Sequence, residues 1–368
     1  YILHTHSHIA LLGWVYIGLT ALIYYLFIKK SEQRKFRIVF CATHITILGM
    51  LFSFPVTGYA LFSIIFSTLF LICSYCFYFL FKKYHNLKKQ SYVYKFINTS
   101  LLFMVISSIG PWALGIIMNT LGNTSSLYKN AIYFYLHFQY NGWFIFCILG
   151  LFFYYLEKKK IKVHKEFISS FYRYLIISCC LTLFLSFLWI KPPKFLYLLS
   201  CLGAVYQIIA LSKFQLILNN YKTKISKAFT SNVLKLFKFI YLLFVMKIVL
   251  QFFTAIPYFA EITSQIKDFV IGYLHLVFLG ITSLSIFLFA HQQKLLKLPK
   301  NAVIIFLIGF ILSELFIFYK GFCNWQQLSI ISNYYLTLVI ASSLIPIGVL
   351  AIFIKNIKVI FSVQEEYL

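Results

Sequence analysis

Long apolar segments alternate with short polar connections along the whole chain. Each segment has about 20 residues, the length that an α-helix needs to cross the hydrocarbon core of a bilayer. Short segments that alternate with period 2, as in membrane barrels, are absent from the sequence. The pattern predicts an all-α polytopic membrane bundle that forms a single integral membrane domain over residues 1–368. The predicted spans are 8–28, 37–54, 57–81, 95–118, 131–156, 167–190, 195–218, 233–256, 268–291, 302–320 and 333–355.

Lysine and arginine are concentrated in every second connection. The rich connections include KKSEQRKFR, KKYHNLKK, EKKKIKVHK and KLLKLPK, whereas the intervening FPVTG, KPPK and GFCNWQQLSIIS carry few cations. By the positive-inside rule, this alternation predicts Tyr1 outside and Leu368 inside. The net charge of +25 is then explained by topology and by anionic lipid headgroups, and nucleic acid is not expected as a partner.

Four histidines lie inside apolar segments, and each has a glycine five residues later. The pairs are His8/Gly13, His44/Gly49, His137/Gly142 and His275/Gly280. Histidine is costly in hydrocarbon and usually has a function there. Because neutral imidazole is a frequent ligand of transition metals and of haem iron, the pattern indicates a bound redox cofactor. The glycines would let either a flat macrocycle or a neighbouring helix approach closely.

Three of these histidines recur every fourth span. His8, His137 and His275 lie in spans 1, 5 and 9, which run in the same direction, so they are expected at similar depth in the outer half of the membrane. This period predicts three four-helix modules, with a twelfth helix before Tyr1. His44 lies in a span of opposite direction, and we expect it near mid-membrane or in the other leaflet.

Two short motifs resemble a known family. HTHSHIALLGW at 4–14 resembles the haem-ligand segment of C-family haem-copper oxidase subunit I, and YLHLVFLG at 273–280 is similar to it. The twelve-span, three-arc layout is also similar to that of nitric oxide reductases and NnrS-type membrane proteins. The resemblance implies a pseudo-threefold bundle with His8 and His275 as axial ligands of b-type haem. It also implies that His137 is a copper ligand, that a quinol or cytochrome donates electrons, and that the substrate is O2 or NO.

The chain departs from the family pattern in three places. The span FYRYLIISCCLTLFLSFLWI has no histidine where the oxidases supply a pair to copper, and span 9 has one histidine instead of two. Asn141 stands four residues after His137, where many oxidases have a tyrosine. We therefore expect electron transfer or O2/NO binding in preference to complete oxygen reduction. Whether the protein is an enzyme is left open; if it is, we expect a respiratory-type oxidoreductase.

Other polar residues are candidates for supporting roles. His4, His6 and His8 would share one face of an extended segment and could hold copper, but on a helix they diverge. Gln139 and Asn141 could orient His137, or form an interhelical hydrogen-bond cluster. A further pair of ionisable residues within spans could pair with each other, hold a haem propionate or relay protons. This pair is Glu314 and Lys247.

Two alternatives from other classes remain open. A secondary transporter would use intramembrane His, Glu and Lys for proton coupling, and would be expected to show inverted repeats and helices broken at mid-membrane. A non-catalytic subunit of a larger membrane complex would fit the short connections and would bind other membrane subunits.

Overall fold

The computed structural model describes residues 1–365, with the side chains of residues 1–357. Twelve helices make up most of this described part, in which no β-strand is found, so the all-α prediction is confirmed. The helices α1 to α12 are, in order, Ile2–Phe27, Lys30–Thr57, Leu61–Tyr84, Tyr92–Thr120, Ser126–Lys158, Lys165–Ile190, Lys194–Ala228, Ser231–Thr254, Pro257–Gln265, Lys267–Gln292, Lys300–Gln326 and Tyr334–Glu365.

The helices have the length and composition of membrane spans. Among the described residues, ten helices are each long and apolar enough to cross a membrane, and α8 and α9 form an eleventh crossing if they count as one bent span. The two axes meet at 105°. With 24 residues, α8 is about 36 Å long, which exceeds the roughly 30 Å thickness of a hydrocarbon core. The protein is therefore an integral membrane protein, and the eleven predicted segments all correspond to helices.

The short helix α9 was not predicted, because PYFAEITSQ reads as a polar connection. Pro257 occupies its first turn, where the missing N–H costs nothing.

The chain forms two compact units. The first comprises Tyr1–Phe229 with α1 to α7, and the second comprises Thr230–Leu368 with the remaining helices. The boundary coincides with the predicted boundary between the second and third modules. The prediction of one integral membrane domain stays a prediction.

Within the units, one packing pattern occurs three times. The third and fourth helices of each predicted module pack closely against each other: α2 with α3, α6 with α7, and α11 with α12. Glycines bring two of these pairs together. A Cβ on Gly203 of α7 would lie 2.8 Å from the carbonyl carbon of Leu181 in α6, and one on Gly348 of α12 would lie 2.8 Å from the nitrogen of Phe306 in α11. Small residues permit such close approach between membrane helices.

A second repeated feature lies at the lysine-rich ends. In each module, the last residue of the histidine-bearing helix or the connection after it is hydrogen-bonded to the second half of the module's fourth helix or to the residues that follow it. The bonds are Asn86 N–H to Phe27 O (2.9 Å), His164 N–H to Tyr221 Oη (3.1 Å), and Lys297 N–H to Asn356 Oδ1 (2.8 Å). The module repeat read from the histidine spacing is therefore also present in packing and hydrogen bonding.

In the first unit, α4 and α6 are among the helices that depart from regular α geometry. In α4 the α-helix is interrupted at Ser108, as expected from Pro111, whose ring excludes the carbonyl of Ser107 from the usual position. The last part of α6, Thr182–Ile190, is a 3₁₀-helix of nine residues. This is long for a 3₁₀-helix, and such stretches often mark strain or a hinge.

Candidate functional site

Each of the three repeated histidines immediately precedes a π-helical segment. His8 is followed by Ile9–Tyr16, His137 by Phe138–Phe144 and His275 by Leu276–Ser283. The π-helix is rare, occurs mostly as short bulges within α-helices, and is frequent at functional sites. Its hydrogen bonds join residues five apart, the same spacing as from each histidine to its glycine. The sequence repeat thus marks a repeated distortion of the backbone.

The glycines of these π-helical segments are covered by neighbouring side chains. A Cβ added to Gly142 would lie 2.6 Å from Cβ of Phe103, and one added to Gly280 would lie 2.6 Å from Cζ of Phe310. At Gly13 the Cγ2 atom of Ile47 would lie 3.4 Å away. Of the two roles expected for the glycines, helix packing is the one that this geometry supports, and a macrocycle has no space at Gly142 or Gly280.

His8 has one ring nitrogen oriented by the backbone. Its Nδ1–H donates to the carbonyl oxygen of His4 at 2.8 Å, one turn earlier. The ring packs against Phe54 of α2, with centroids 4.3 Å apart. Nε2 has no hydrogen-bond partner among the described residues and is the atom free to bind a metal. A ring held through Nδ1 with Nε2 open is the usual state of a metal-binding histidine.

The three N-terminal histidines lie on a helix. Because α1 begins at Ile2, His4 and His8 are one turn apart on one side, and His6 diverges from them. The extended conformation that would bring all three to one face is not adopted. In the part of the chain that the structure describes, no group of three or more His, Cys, Asp or Glu side chains is placed to hold a metal ion.

His275 faces a carboxylate of the next membrane helix. Its Nδ1 lies 3.5 Å from Oε1 of Glu314 in α11, and the Glu314 side chain is only 10% exposed. Both carboxylate oxygens are buried without a hydrogen bond to any described residue. The acid–imidazole pair orients Nδ1 toward the carboxylate and leaves Nε2 open, as in carboxylate–histidine–metal arrangements.

Lys247 has a different neighbour. Its ammonium group donates to Oε1 of Gln251 at 2.6 Å, and both side chains are buried in α8. The expected pair of Glu314 with Lys247 is replaced by two other contacts: Glu314 faces His275, and Lys247 donates to Gln251. Lys247 and Gln251 are four residues apart on one helix, so their contact could have been predicted from the sequence.

His137 is the most buried of the three and uses both ring nitrogens. Its Nε2–H donates to the carbonyl oxygen of Cys179 in α6 at 2.8 Å, and Nδ1 accepts from Nδ2 of Asn141 at 3.2 Å. The acceptor carbonyl lies just before the change from α- to 3₁₀-helix at Thr182. A metal at His137 would have to replace one of these bonds. Backbone acceptors such as Cys179 O cannot be identified from sequence.

Gln139 and Asn141 belong to the same polar cluster. Nε2 of Gln139 donates to Oγ of Ser107 at 2.8 Å, next to the interruption in α4. Asn141 orients His137, while its own Oδ1 is buried without a partner among the described residues. The cluster connects α4, α5 and α6, as expected for interhelical hydrogen bonding.

His44 differs from the other three. It lies mid-helix in α2 on an exposed face, and its Nδ1–H donates to the carbonyl of Phe40 at 2.7 Å. The surrounding helix is regular α-helix. His44 therefore has an open Nε2 but no π-helical segment beside it.

The structure thus separates the candidates by chemistry. His8 and His275 combine the π-helical position with an oriented Nδ1 and an open Nε2; His137 lacks the open nitrogen, and His44 lacks the π-helix. His8 belongs to the first unit and His275 to the second. In comparisons with known proteins, no family model matches the chain and no curated protein matches it.

Proposed function

We propose that this protein is a membrane haem protein that binds b-type haem, with His8 and His275 as iron ligands. The supporting observation is that these two histidines alone among the four repeated candidates have an oriented Nδ1, an open Nε2 and an adjacent π-helical segment. Bound haem iron would supply one-electron transfer and binding of a diatomic gas.

In this proposal, the protein's own residues hold and tune the ligands. The His4 carbonyl accepts a hydrogen bond from His8 Nδ1, and the Glu314 carboxylate faces His275 Nδ1, so that Nε2 of each imidazole points away from that oxygen. The apolar helices exclude water, which favours the less charged form of a cofactor. His137, with Gln139 and Asn141, stabilises the helix contacts of the first unit. A copper ion at His137, or at His4 and His6, is a weaker part of the proposal, because neither place has an open set of ligands.

The protein would lie in the inner membrane of a bacterium, with Tyr1 outside and the C-terminus in the cytoplasm. Electrons would come from a quinol or a cytochrome, and the substrate would be O2 or NO in a haem-copper-oxidase-like or nitric-oxide-reductase-like reaction. The alternation of lysine-rich and lysine-poor helix ends supports this orientation.

The test is the visible absorption spectrum of protein expressed with ample haem, oxidised and dithionite-reduced, with and without CO. We expect a b-type band in the wild-type protein, loss of that band in His275→Ala and in His8→Ala, and no loss in His85→Ala, because His85 lies outside the spans. A CO-induced shift of the absorption band would show that the haem iron has an open coordination position. Absence of a Soret band in the wild-type protein would refute the proposal, and full haem content in His275→Ala would refute that ligand.

A proton-coupled transporter is a second candidate, favoured by the buried Glu314 carboxylate beside His275. Carboxylates inside membrane helices commonly serve proton pathways. In proteoliposomes that contain a pH-sensitive dye, this alternative predicts proton flux that Glu314→Gln abolishes, in protein without bound haem. The 105° bend between α8 and α9 gives it less support, because the bend follows a helix whose length alone exceeds the thickness of the hydrocarbon core.

A further inference from the structure

Two lysine-rich connections of the first unit are held against each other. The residues after α1 and those after α3 form an antiparallel bridge between Ile28 and His85. Two backbone hydrogen bonds flank it, from Asn86 N–H to Phe27 O at 2.9 Å and from Lys29 N–H to Tyr84 O at 3.4 Å. Cations that are far apart in sequence are thereby collected at one helix end.

The collected charge is almost entirely positive. Nine exposed cations lie on or beside these connections: Lys29, Lys30, Arg34, Lys35, Arg37, Lys82, Lys83, Lys88 and Lys89. Glu32 is the one acidic residue in the same stretches, and its carboxylate pairs with Lys35 at 2.8 Å. Like charges held together repel unless a counter-ion neutralises them. The fold therefore maintains a cationic surface that favours a bound anion.

Tyr84 is at the centre of this surface. Its hydroxyl oxygen accepts from the Lys35 ammonium at 2.8 Å, and that ammonium lies 4.2 Å from the ring centroid. The Lys83 ammonium lies 5.4 Å from the same centroid. Two cations from different helices are thus positioned around one phenol ring. We call Lys35, Lys83 and Tyr84 the Tyr84 cluster.

Apolar side chains continue from these cations toward the membrane. Ile38 lies one turn beyond Arg34 and Lys35 on α2 and is 66% exposed, and Phe79 lies one turn before Lys82 and Lys83 on α3 and is 67% exposed. Residues three or four apart share a helix face. Each face therefore presents cations at the helix end and an apolar side chain next to them, which matches a phosphate headgroup and its acyl chains.

We propose that the Tyr84 cluster binds the phosphate headgroup of an anionic phospholipid. Lys35 and Lys83 contact the phosphate oxygens, Tyr84 holds Lys35 in place, and Ile38 and Phe79 contact the acyl chains. The apolar contacts favour a lipid over free phosphate, which has no acyl chains. This proposal does not depend on haem binding.

The test is native mass spectrometry of the purified full chain titrated with phosphatidylglycerol, and with phosphatidylcholine as the zwitterionic comparison. At about 1 kcal/mol for each cation near an anionic headgroup, Lys35→Gln/Lys83→Gln should weaken phosphatidylglycerol binding by about tenfold or more. The matched control is Lys222→Gln/Lys224→Gln, which removes two exposed cations from the last turns of α7 and should change the affinity less than twofold.

A second pair of variants tests whether removal of a negative charge strengthens lipid binding. Glu32→Gln removes the carboxylate that competes for Lys35 and should strengthen binding, whereas Glu166→Gln at the start of α6 should not. Equal weakening by both lysine double variants would overturn the proposal, because net charge alone would then explain it. Equal binding of phosphatidylcholine would overturn it as well. Displacement of the lipid by millimolar inorganic phosphate would show that free phosphate is the ligand and would also overturn it.

Discussion

The Nδ1 atom of His275 lies 3.5 Å from Oε1 of Glu314, a buried carboxylate that has no hydrogen-bond partner among the described residues. An isolated carboxylate in a membrane interior is strongly disfavoured, so a buried carboxylate there usually has a function. The relationship also distinguishes His275 from His137, whose partner in the next helix is a backbone carbonyl.

The carboxylate should set the properties of the imidazole that it orients. In haem-loaded protein, we expect Glu314→Gln to raise the reduction midpoint potential, because an anionic partner makes the ligand more electron-donating and stabilises the oxidised iron. Redox titration followed by visible absorbance measures this shift. Glu261→Gln, at an exposed position of α9, is the matched control. An unchanged potential in Glu314→Gln would show that the carboxylate does not act through His275.

His137 should prove important for stability. His137→Ala removes the donor to Cys179 O and the acceptor for Asn141, and unsatisfied buried groups cost about 1–3 kcal/mol each. We expect a clearly lower unfolding temperature in detergent with haem absorbance retained. His164→Ala, on an exposed side chain, should leave both unchanged. Loss of absorbance in His137→Ala at unchanged unfolding temperature would instead assign His137 to a cofactor.

The π-helical glycines should resist substitution. Gly142→Ala places a methyl group 2.6 Å from Cβ of Phe103, which cannot move without its backbone, so we expect destabilisation of about 1–3 kcal/mol. At Gly115 in α4 nothing lies within 4 Å of an added Cβ, and alanine should stabilise that helix by about 0.5–1 kcal/mol. Thermal unfolding of the two variants under identical conditions measures the contrast. Similar effects of both substitutions would contradict the packing described around Gly142.

His85 should make the cationic end of the first unit sensitive to acid. Burial lowers the pKa of His85, and Lys89 and Lys29 lower it further. Because this pKa is lower in the folded state than the unfolded value of 6.5, the neutral ring contributes stability above about pH 6.5, and the contribution is lost as the pH falls toward the folded pKa. We expect the unfolding temperature to fall between pH 7.5 and 5 by less in His85→Gln than in wild type. An identical fall would remove His85 from this role.

The sequence was sufficient to predict the membrane-spanning helices, since long apolar segments and alternating lysines are properties of the chain itself. It also located His8, His137 and His275 at equivalent places. The π-helical segments could not be predicted from the sequence, because a histidine and a glycine five residues apart are compatible with an ordinary α-helix. They form where side chains such as Phe103 and Phe310 pack onto the glycines, and those contacts come from other helices.

The partners of each histidine side chain could not be predicted from the sequence either. Glu314 was a candidate, but its contact with His275 depends on the packing of α10 against α11. The partner of His137 is the main chain of Cys179, which carries no side-chain signal. A copper site at His4 and His6 would have required an extended segment, whereas both residues lie in the first two turns of α1.

The hydrogen bonds at the lysine-rich ends have a consequence for biosynthesis. In each module, the last residue of the histidine-bearing helix or the connection after it gains its partner only when the second half of the module's fourth helix, or the residues that follow it, have been made. During membrane insertion, the hydrogen bonds of the modules should therefore form one after another as the ribosome advances. Those of the first two modules could form once the chain has been made up to Phe229. A nascent chain that ends there would already contain both partners of the Asn86–Phe27 and His164–Tyr221 hydrogen bonds.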